Sequence, residues 1–243
     1  ETCTIATLDE IEAIAYTAPP APLYTDNLVA SYSFDTDFTD YTGNNNLTVT
    51  GNVVAGITGG VVDDCADFEG TDDYTVAADS DDFSFTDGAT DLPFSISFWL
   101  NFDTYNNLNA FILSKRDNVT NNEYQISFSG SNKIAIFLAS QGATSSYLYV
   151  TLPYTPITGG TTWEHFTVTY DGSETFSGIK AYINGVSQTL TDLSAGTYLG
   201  MANGTKPINI GSQSWSPLNG EFNGKMDEFH VWKNRELTQA EVT

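Results

Sequence analysis

The sequence predicts an all-β fold of two packed antiparallel sheets. Three observations predict it: short segments that alternate apolar and polar residues, turn-forming residues between them, and an Asp-Gly or Asn-Gly pair directly after two of them. The alternation is strongest at 94–102, where the apolar positions are Phe94, Ile96, Phe98, Leu100 and Phe102. A strand with one apolar face needs a second layer to bury it, so we expect a sandwich.

The other predicted strands continue this pattern to the end of the chain. They lie at 28–34, 123–129, 133–139, 147–152, 164–170, 178–184, 207–211 and 226–233. Because no break interrupts them, we predict one domain over residues 26–243. No apolar run approaches the roughly 20 residues that a membrane-spanning helix needs, so we expect no membrane insertion.

Residues 1–25 do not follow the strand pattern and are predicted to be a separate docking segment. Thr7 to Glu10 has the form of a helix capping box, and apolar residues recur at Ile5, Leu8, Ile11 and Ile14. Three prolines between residues 19 and 22 then form a stiff linker. A short helix or extended segment of this kind docks either on its own domain or on a neighbouring subunit.

The charge is strongly acidic and unevenly distributed. The formal net charge is −23, and no Lys or Arg precedes Lys115. Such a field repels nucleic acid and anionic membranes, which excludes both as expected partners. It attracts Ca²⁺ or a basic surface, although for most of these carboxylates we favour simple hydration in a salty medium.

Several motifs occur in a family-like order along the chain. The second half contains Trp163 to Gly172, Ile179 to Gly185 and Gly224 to Trp232, and the first half contains 28–34, 40–43, 66–74 and 94–100. In this order and spacing, residues 26–243 resemble a laminin-G-like domain, a jelly roll of the concanavalin A-like lectin and glucanase superfamily. The resemblance implies an extracellular module that binds glycans or mediates adhesion.

Enzymes also occur among such sandwiches, and their catalytic residues follow a recognisable pattern. Retaining glycosidases need two carboxyl groups about 5 Å apart, which one strand supplies by placing them on alternate residues. No strand here has that pattern, and Asp227 and Glu228 are adjacent, so they point to opposite faces. The only histidines, His165 and His230, are far apart in sequence and read as packing or surface residues. We therefore predict a non-catalytic protein.

A structural calcium ion is the metal hypothesis. Asp227 falls on the same side of its predicted strand as Phe229 and Val231, which predicts an inward-facing carboxylate that needs a partner. The resemblance implies one Ca²⁺ between the last strand and an acidic loop, here with Asp35, Asp37 and Asp40 as further ligands. In the alternative, Asp227 accepts backbone N–H groups and Asp40 shapes the turn before Gly43.

Aromatic residues outside the core are the candidates for glycan binding. Trp215 lies in a predicted loop, and Tyr105 with Asn107, and Tyr147, are further candidates because rings stack on sugars while amides bind hydroxyl groups. The resemblance places Trp99 and Trp163 in the core. For each candidate, the alternative is that the ring covers its own loop.

Two cysteines, Cys3 and Cys65, are too few for a disulfide framework. In an extracellular protein we predict one bridge between them, and in a cytosolic protein two unrelated thiols.

The second functional hypothesis is a structural subunit of a surface filament, appendage or virion. In that case residues 1–25 mediate self-assembly while the sandwich is displayed.

Overall fold

A computed structural model describes residues 24–105, 110–117, 122–129, 132–141, 145–213 and 220–242. These residues form sixteen strands and two short 3₁₀ helices, Asp81–Phe83 and Phe176–Gly178. The strands are β1 (Leu28–Tyr32), β2 (Thr48–Thr50), β3 (Val54–Thr58), β4 (Asp64–Glu69), β5 (Tyr74–Ala77), β6 (Phe94–Phe102), β7 (Ala110–Arg116), β8 (Asn122–Ser129), β9 (Lys133–Ala139), β10 (Tyr147–Pro153), β11 (Glu164–Tyr170), β12 (Ile179–Ile183), β13 (Val186–Ser187), β14 (Thr191–Asp192), β15 (Ile208–Ile210) and β16 (Asn223–Lys233). The predicted N-terminal helix lies outside the described residues.

The strands form two antiparallel sheets. Sheet A has the order β13-β12-β11-β6-β16-β4-β3, with β1 also paired to β16, and sheet B has the order β14-β10-β9-β8-β7-β15-β5-β2. The predicted all-β sandwich is therefore confirmed. No helix among the described residues is long and apolar enough to cross a membrane.

The core lies between the sheets and follows the predicted alternation. On β6, all five apolar residues at even positions from Phe94 to Phe102 are buried in it. The Phe98 ring stacks on the rings of Phe166 and Phe229, with centroid distances of 5.8 and 5.6 Å. Because β11 and β16 flank β6, this aromatic row ties the centre of sheet A together.

The odd positions of β6 face away from the core, and Trp99 is among them. It is half-buried, and its ring centroid lies 4.8 Å from that of His165 on the next strand. Trp163 likewise donates its indole N–H to the carbonyl of Gly59, at 3.0 Å, in an exposed setting. The expectation that both tryptophans belong to the core is wrong: Trp99 lies on the outer face of sheet A, and Trp163 is only partly buried and is not among the core residues.

A β-bulge in β16 sets the direction of Asp227. The pairing with β6 shifts register between Asp227 and His230, and Glu228 has a φ of 48°. As a result Met226 pairs with Leu100 towards the core, whereas Asp227 pairs with Trp99 on the outer face. The inward direction expected from the positions of Phe229 and Val231 is wrong, since strict alternation does not survive the bulge.

Candidate functional site

An aromatic patch lies on the outer face of sheet B. Gln125, Phe137 and Tyr149 are direct cross-strand partners on β8, β9 and β10. Their neighbours Ile126, Ile136 and Val150 point into the core. Because successive side chains of a strand alternate between faces, the three partners share the outer face with Tyr147. With Arg116 at the end of β7 they line a groove of about 270 Å³, which we call the sheet B patch.

The three rings of the sheet B patch contact one another. The Phe137 centroid lies 5.2 Å from that of Tyr147 and 6.4 Å from that of Tyr149, and the two tyrosine centroids are 6.3 Å apart. The interplanar angles are 41°, 64° and 85°, so the rings are tilted and do not stack. Mutual packing of this kind fixes side chains that have few rotamers, leaving a rigid apolar surface for a ligand.

Arg116 adds a fixed cation to this surface. Its guanidinium carbon lies 4.3 Å from the Phe137 ring centroid, and its Nη1 donates to Oε1 of Gln125 at 3.1 Å. Burial lowers the pKa of Arg116 to about 10, and Asp117 opposes that shift, so the group stays charged at neutral pH. The stacked, hydrogen-bonded guanidinium is preorganised to bind oxygen atoms of a ligand.

Donors and acceptors surround the rings. Gln125 donates from Nε2 to the hydroxyl of Ser127 at 2.9 Å, which orients its amide. Burial, with a smaller effect of Tyr147, raises the pKa of the Tyr149 phenol, which therefore stays a hydrogen-bond donor. An apolar surface with a few placed polar groups is the usual composition of a small-molecule binding site.

The structure places the predicted glycan-binding residues in different regions. Tyr147 belongs to the sheet B patch. Tyr105 does not: its hydroxyl donates to the carbonyl of Ser129 at 2.8 Å and its ring packs on Phe102 and Phe128, which gives it a packing role. Trp215 and Asn107 lie outside the described residues, so their roles stay predictions.

Sequence reasoning missed Phe137, Gln125 and Arg116 as members of one site. The available signal was Phe137, an aromatic residue on the side of β9 that otherwise carries Lys133 and Ala135. The strand order that places β7 to β10 side by side was the missing information.

Two of the predicted calcium ligands have their carboxylates occupied by the local backbone. Asp40 accepts N–H groups of Ser31 and Asn45 at 2.8 and 3.0 Å, and its Oδ1 accepts that of Thr42 at 3.1 Å. Asp37 is exposed and accepts the N–H of Thr39 at 2.8 Å. These contacts shape the turn before Gly43, as in the alternative interpretation.

The other two predicted ligands, Asp35 and Asp227, contact residues 61–64, where the loop after β3 enters β4. Asp227 is fully buried, and its Oδ2 accepts the N–H groups of Val61 and Val62 at 2.6 and 3.1 Å. Asp35 Oδ1 accepts the N–H of Asp64 at 3.1 Å, while its buried Oδ2 has no hydrogen-bond partner. This unpaired oxygen could serve as one ligand of a cation, but a Ca²⁺ site needs several more oxygen ligands.

The pKa values of these two carboxyl groups are both raised. Burial, reinforced by Glu228, raises the pKa of Asp227 to about 7, and burial also raises that of Asp35. Ionised carboxylates are therefore disfavoured without a positive partner. Among the residues described, however, no group of three or more His, Cys, Asp or Glu side chains is arranged to hold a metal ion. The calcium site stays a prediction, with Asp35 and Asp227 as the pair that approaches it.

Cys65 lies beside this region on β4. Its thiol is buried and donates to the carbonyl of Ile57 at 3.2 Å. Burial and the neighbouring Asp227 raise its pKa to about 12, so the thiol is a poor nucleophile. Cys3 lies outside the described residues, and the Cys3–Cys65 bridge stays a prediction.

A second groove, of about 240 Å³, lies on the outer face of sheet A and brings the two histidines together. We call it the sheet A groove; it is lined by Tyr24, Ser97, Trp99, His165, Thr167, His230, Trp232, Leu237, Glu241 and Val242. His165 Nε2 lies 2.7 Å from the hydroxyl of Ser97, and His230 Nδ1 lies 3.0 Å from that of Ser31. Their separation in sequence concealed this proximity.

The hydroxyl–histidine pairs of the sheet A groove are not arranged as a nucleophile and base. His230 Nε2 lies 3.0 Å from Glu228, which completes a Ser-His-Glu sequence of contacts, but Ser31 is only 3% exposed and Ser97 only 5%. Burial, with a contribution from His230, lowers the pKa of His165 to about 4, too low for a base that works near neutral pH. These contacts satisfy buried polar groups.

With the geometry established, comparisons with known proteins identify the family. A model of the concanavalin A-like lectin/glucanases superfamily, laminin-G type, matches residues 68–243. The chain belongs to this superfamily. No curated protein matches it.

Solved structures share its fold at low sequence identity. Domain 4 of AbnA, an extracellular arabinanase from Geobacillus stearothermophilus, in complex with arabinotriose, is 20% identical with a TM-score of 0.62, covering 89% of this chain and 97% of that one. The binding domain of Paraclostridial Mosquitocidal Protein 1 is 20% identical (TM-score 0.67), covering 89% and 51%. A structure of botulinum neurotoxin type C, a toxin whose cell entry depends on interaction with two ganglioside molecules, is 18% identical with a TM-score of 0.60. The match covers 89% of this chain and 50% of that one. The chain thus spans about half the length of the toxin chains.

Proposed function

We propose that this protein is a non-catalytic, extracellular glycan-binding module and that the sheet B patch is its binding site. The observation that carries the proposal is the rigid group of three aromatic rings beside Arg116 and Gln125 on an outer sheet face. Rings supply the apolar contact to a sugar face, and the guanidinium, amide and phenol groups supply directional hydrogen bonds to hydroxyl groups.

Two further observations support this proposal. The AbnA domain with the same fold was solved with arabinotriose bound, and the neurotoxin neighbour acts through gangliosides. The sheet B patch itself contains no carboxylate, so it offers neither the acid nor the nucleophile of a glycosidase.

The charge of the chain favours a neutral glycan. A net charge of −23 repels polyanions such as highly sulfated or polyuronic chains at long range. Arg116 is already stacked on Phe137, so it serves as a hydrogen-bond donor to hydroxyl and ring oxygens and does not need an anionic partner.

A glycan array tests the function directly. The full chain is applied with Ca²⁺ and again with chelator, together with Tyr149→Ala and Trp99→Ala as variants on opposite sheets. We expect selective binding of neutral oligosaccharides, retained with chelator, lost with Tyr149→Ala and unchanged with Trp99→Ala. An array without any bound glycan, for a chain that unfolds cooperatively, contradicts the proposal.

A further inference from the structure

Lys115 is a fully buried lysine that is not part of the sheet B patch. On β7 it is the direct cross-strand partner of Tyr124, whose ring lies in the core, so its side chain also points inward. A lysine side chain is almost never buried to this extent unless its ammonium group is paired. The groups around this ammonium therefore decide what Lys115 does.

Two carboxylates contact the Lys115 ammonium, and they differ in exposure. Its Nζ lies 2.7 Å from Oδ1 of Asp79 and also contacts Oε1 of Glu123. The side chain of Glu123 is 1% exposed, whereas that of Asp79, which lies between β5 and the 3₁₀ helix Asp81–Phe83, is 37% exposed. One nucleophilic nitrogen thus lies between a carboxyl group that is closed to water and a carboxyl group that reaches it.

Glu123 is held in place without being saturated with hydrogen bonds. Its Oε1 accepts the backbone N–H of Gly204 at 2.9 Å. Among the residues that the structure describes, its buried Oε2 has no hydrogen-bond partner, and the nearby hydroxyl of Ser84 is unpaired as well. Burial raises the pKa of the Glu123 carboxyl group, although Lys115 opposes that shift. Such a group beside an amine is suited to take up a proton and to pass it on.

From this arrangement we propose that Lys115 and Asp79 condense to form an intramolecular isopeptide bond, with Glu123 as the proton carrier. A bond forms between Nζ of Lys115 and Cγ of Asp79, and one Cγ–O bond of Asp79 breaks. The ammonium loses two protons. One passes directly to the departing oxygen, and Glu123 takes the other and delivers it to the same oxygen, which leaves as water. Glu123 is regenerated, and no oxidant or further reactant is needed.

Two physical effects favour this reaction over a lasting ion pair. Holding an amine and a carboxyl group in contact corresponds to an effective concentration of about 10⁵–10⁸ M in well-oriented intramolecular reactions. Condensation also replaces a buried ion pair, whose groups have lost their hydration, with a neutral amide. Because Asp79 is partly exposed, the released water has a route to the solvent. Asp79 is therefore the acceptor, and the enclosed Glu123 is not.

The isopeptide bond joins two strands of sheet B that have a short strand between them. Asp79 follows β5, Lys115 lies on β7, and the three-residue β15 separates these strands in the sheet. The register of β15 with β7 consists of the pairs Asn209 with Ser114 and Ile210 with Leu113. The bond links positions 36 residues apart in sequence across this short pairing, and it constrains the unfolded chain as a disulfide does. The inference is independent of glycan binding.

Mass spectrometry of the intact full chain, reduced and denatured, tests this inference. We expect the natural chain to have a mass one water molecule below its sequence mass. Asp81→Ala, the control at a neighbouring acidic position, should show the same loss. Asp79→Ala and Lys115→Met should have their full sequence masses, and Glu123→Gln should show a severalfold smaller converted fraction.

The surface ion pair between Lys180 and Glu236 is an internal control in every sample. Its Nζ–Oε1 distance is 2.5 Å, but the two side chains are 48% and 27% exposed. Water hydrates both groups, so they remain an ordinary surface ion pair. We therefore expect one water molecule to be lost per chain. A second loss at this pair would overturn the role that the inference gives to burial.

Peptide mapping of the natural chain locates the lost water. We expect one branched peptide that joins the segments of Asp79 and Lys115, with no tryptic cleavage after Lys115. A natural chain with its full sequence mass overturns the inference. Loss of water by cyclisation at Glu1 or at an Asp-Gly pair gives linear peptides only, and this result also overturns it. A branched peptide between Lys115 and Glu123 overturns the assignment of Asp79 as the acceptor. These outcomes are decided on the natural chain, whether or not each variant folds.

Discussion

The two outer faces of the sandwich both carry aromatic side chains, but in opposite settings. On sheet B the rings of Phe137, Tyr147 and Tyr149 contact each other and leave a groove beside Arg116. On sheet A, Trp232 donates its indole N–H to Tyr24 and is buried with Leu237 and Val242. The difference teaches that an outward aromatic residue is informative through its partners. Rings that are buried against a loop or terminus of their own chain close a surface, whereas rings that pack beside one another on the outside of a sheet keep one open.

The largest effect is expected from Tyr149→Ala. The substitution removes a ring and a donor from the centre of the proposed glycan surface, and such central contacts are worth about 3 kcal/mol, or roughly 150-fold in affinity. Titration calorimetry with a glycan selected on the array measures it. Trp99→Ala on sheet A is the matched control and should keep the natural affinity. If only Trp99→Ala loses affinity for the glycan, the glycan binds the outer face of sheet A, and the proposed site on sheet B is wrong.

The second effect concerns the predicted calcium ion at Asp35 and Asp227. If the ion binds there, saturation at about 100 times its dissociation constant stabilises the fold by about 2.7 kcal/mol, so chelator should lower the melting temperature. Asp227→Asn should abolish that response, whereas Asp87→Asn in an exposed turn should retain it. Glycan affinity should not change with chelator, because the sheet B patch contains no carboxylate. A melting temperature that does not change with chelator would show that no calcium ion stabilises this fold.

The third effect is a pH dependence that belongs to sheet A. His165 has a folded pKa of about 4 against about 6.5 when unfolded, so its neutral form is favoured in the fold. Its contribution to stability is therefore present above pH 6.5 and is lost as the pH falls towards 4. We expect His165→Gln to flatten this loss by about 2 kcal/mol, a value reduced for the partial exposure of the ring.

Urea denaturation at pH 7.0 and 4.5 measures this difference. Carboxylates titrate in both proteins, so only the difference between natural chain and variant is assigned to His165. If both proteins lose the same free energy of unfolding between pH 7.0 and pH 4.5, the imidazole of His165 titrates as an exposed one. Glycan affinity at pH 7.0 should be the same for both.

The smallest effect is expected from Arg116→Lys in the sheet B patch. Lysine keeps the charge but loses the planar contact with Phe137 and the hydrogen bond to Gln125. Stacked cations at partly exposed sites contribute about 0.5–1 kcal/mol, so a two- to fivefold weaker affinity is expected. Lys133→Gln, at the start of β9, is the control for charge alone. An unchanged affinity for Arg116→Lys would mean that only the charge of this position matters.

The sequence predicted the fold well because period-two alternation is a local property. The segment 94–102 reads the same in sequence and structure, with every second residue in the core. Asp227 was assigned to the wrong face because one bulge reverses the alternation of β16. The bulge includes a positive φ at Glu228, which the amino-acid sequence around that residue does not indicate. Trp99 was assigned to the core on family resemblance, although its own odd position in β6 already indicated the outer face.

The candidate site was less accessible to sequence reasoning because it depends on strand order. Arg116, Gln125, Phe137 and Tyr149 come from four strands, and only the neighbouring positions of β7 to β10 bring them together. Tyr147 was found as an aromatic candidate without its partners. His165 and His230, which are far apart in sequence and were predicted to be packing or surface residues, share one groove for the same reason.

The most direct test of the central claim is NMR mapping of a bound glycan on the full chain. Backbone and side-chain chemical shifts are followed while a glycan is titrated into the protein. Arabinotriose is the first glycan, and the oligosaccharide that binds most tightly on the array is the second. If the sheet B patch binds the glycan, we expect perturbations centred on Arg116, Gln125, Phe137, Tyr147 and Tyr149, with none at Trp99 or His230. Perturbations centred on the sheet A groove, with sheet B unaffected, would contradict it.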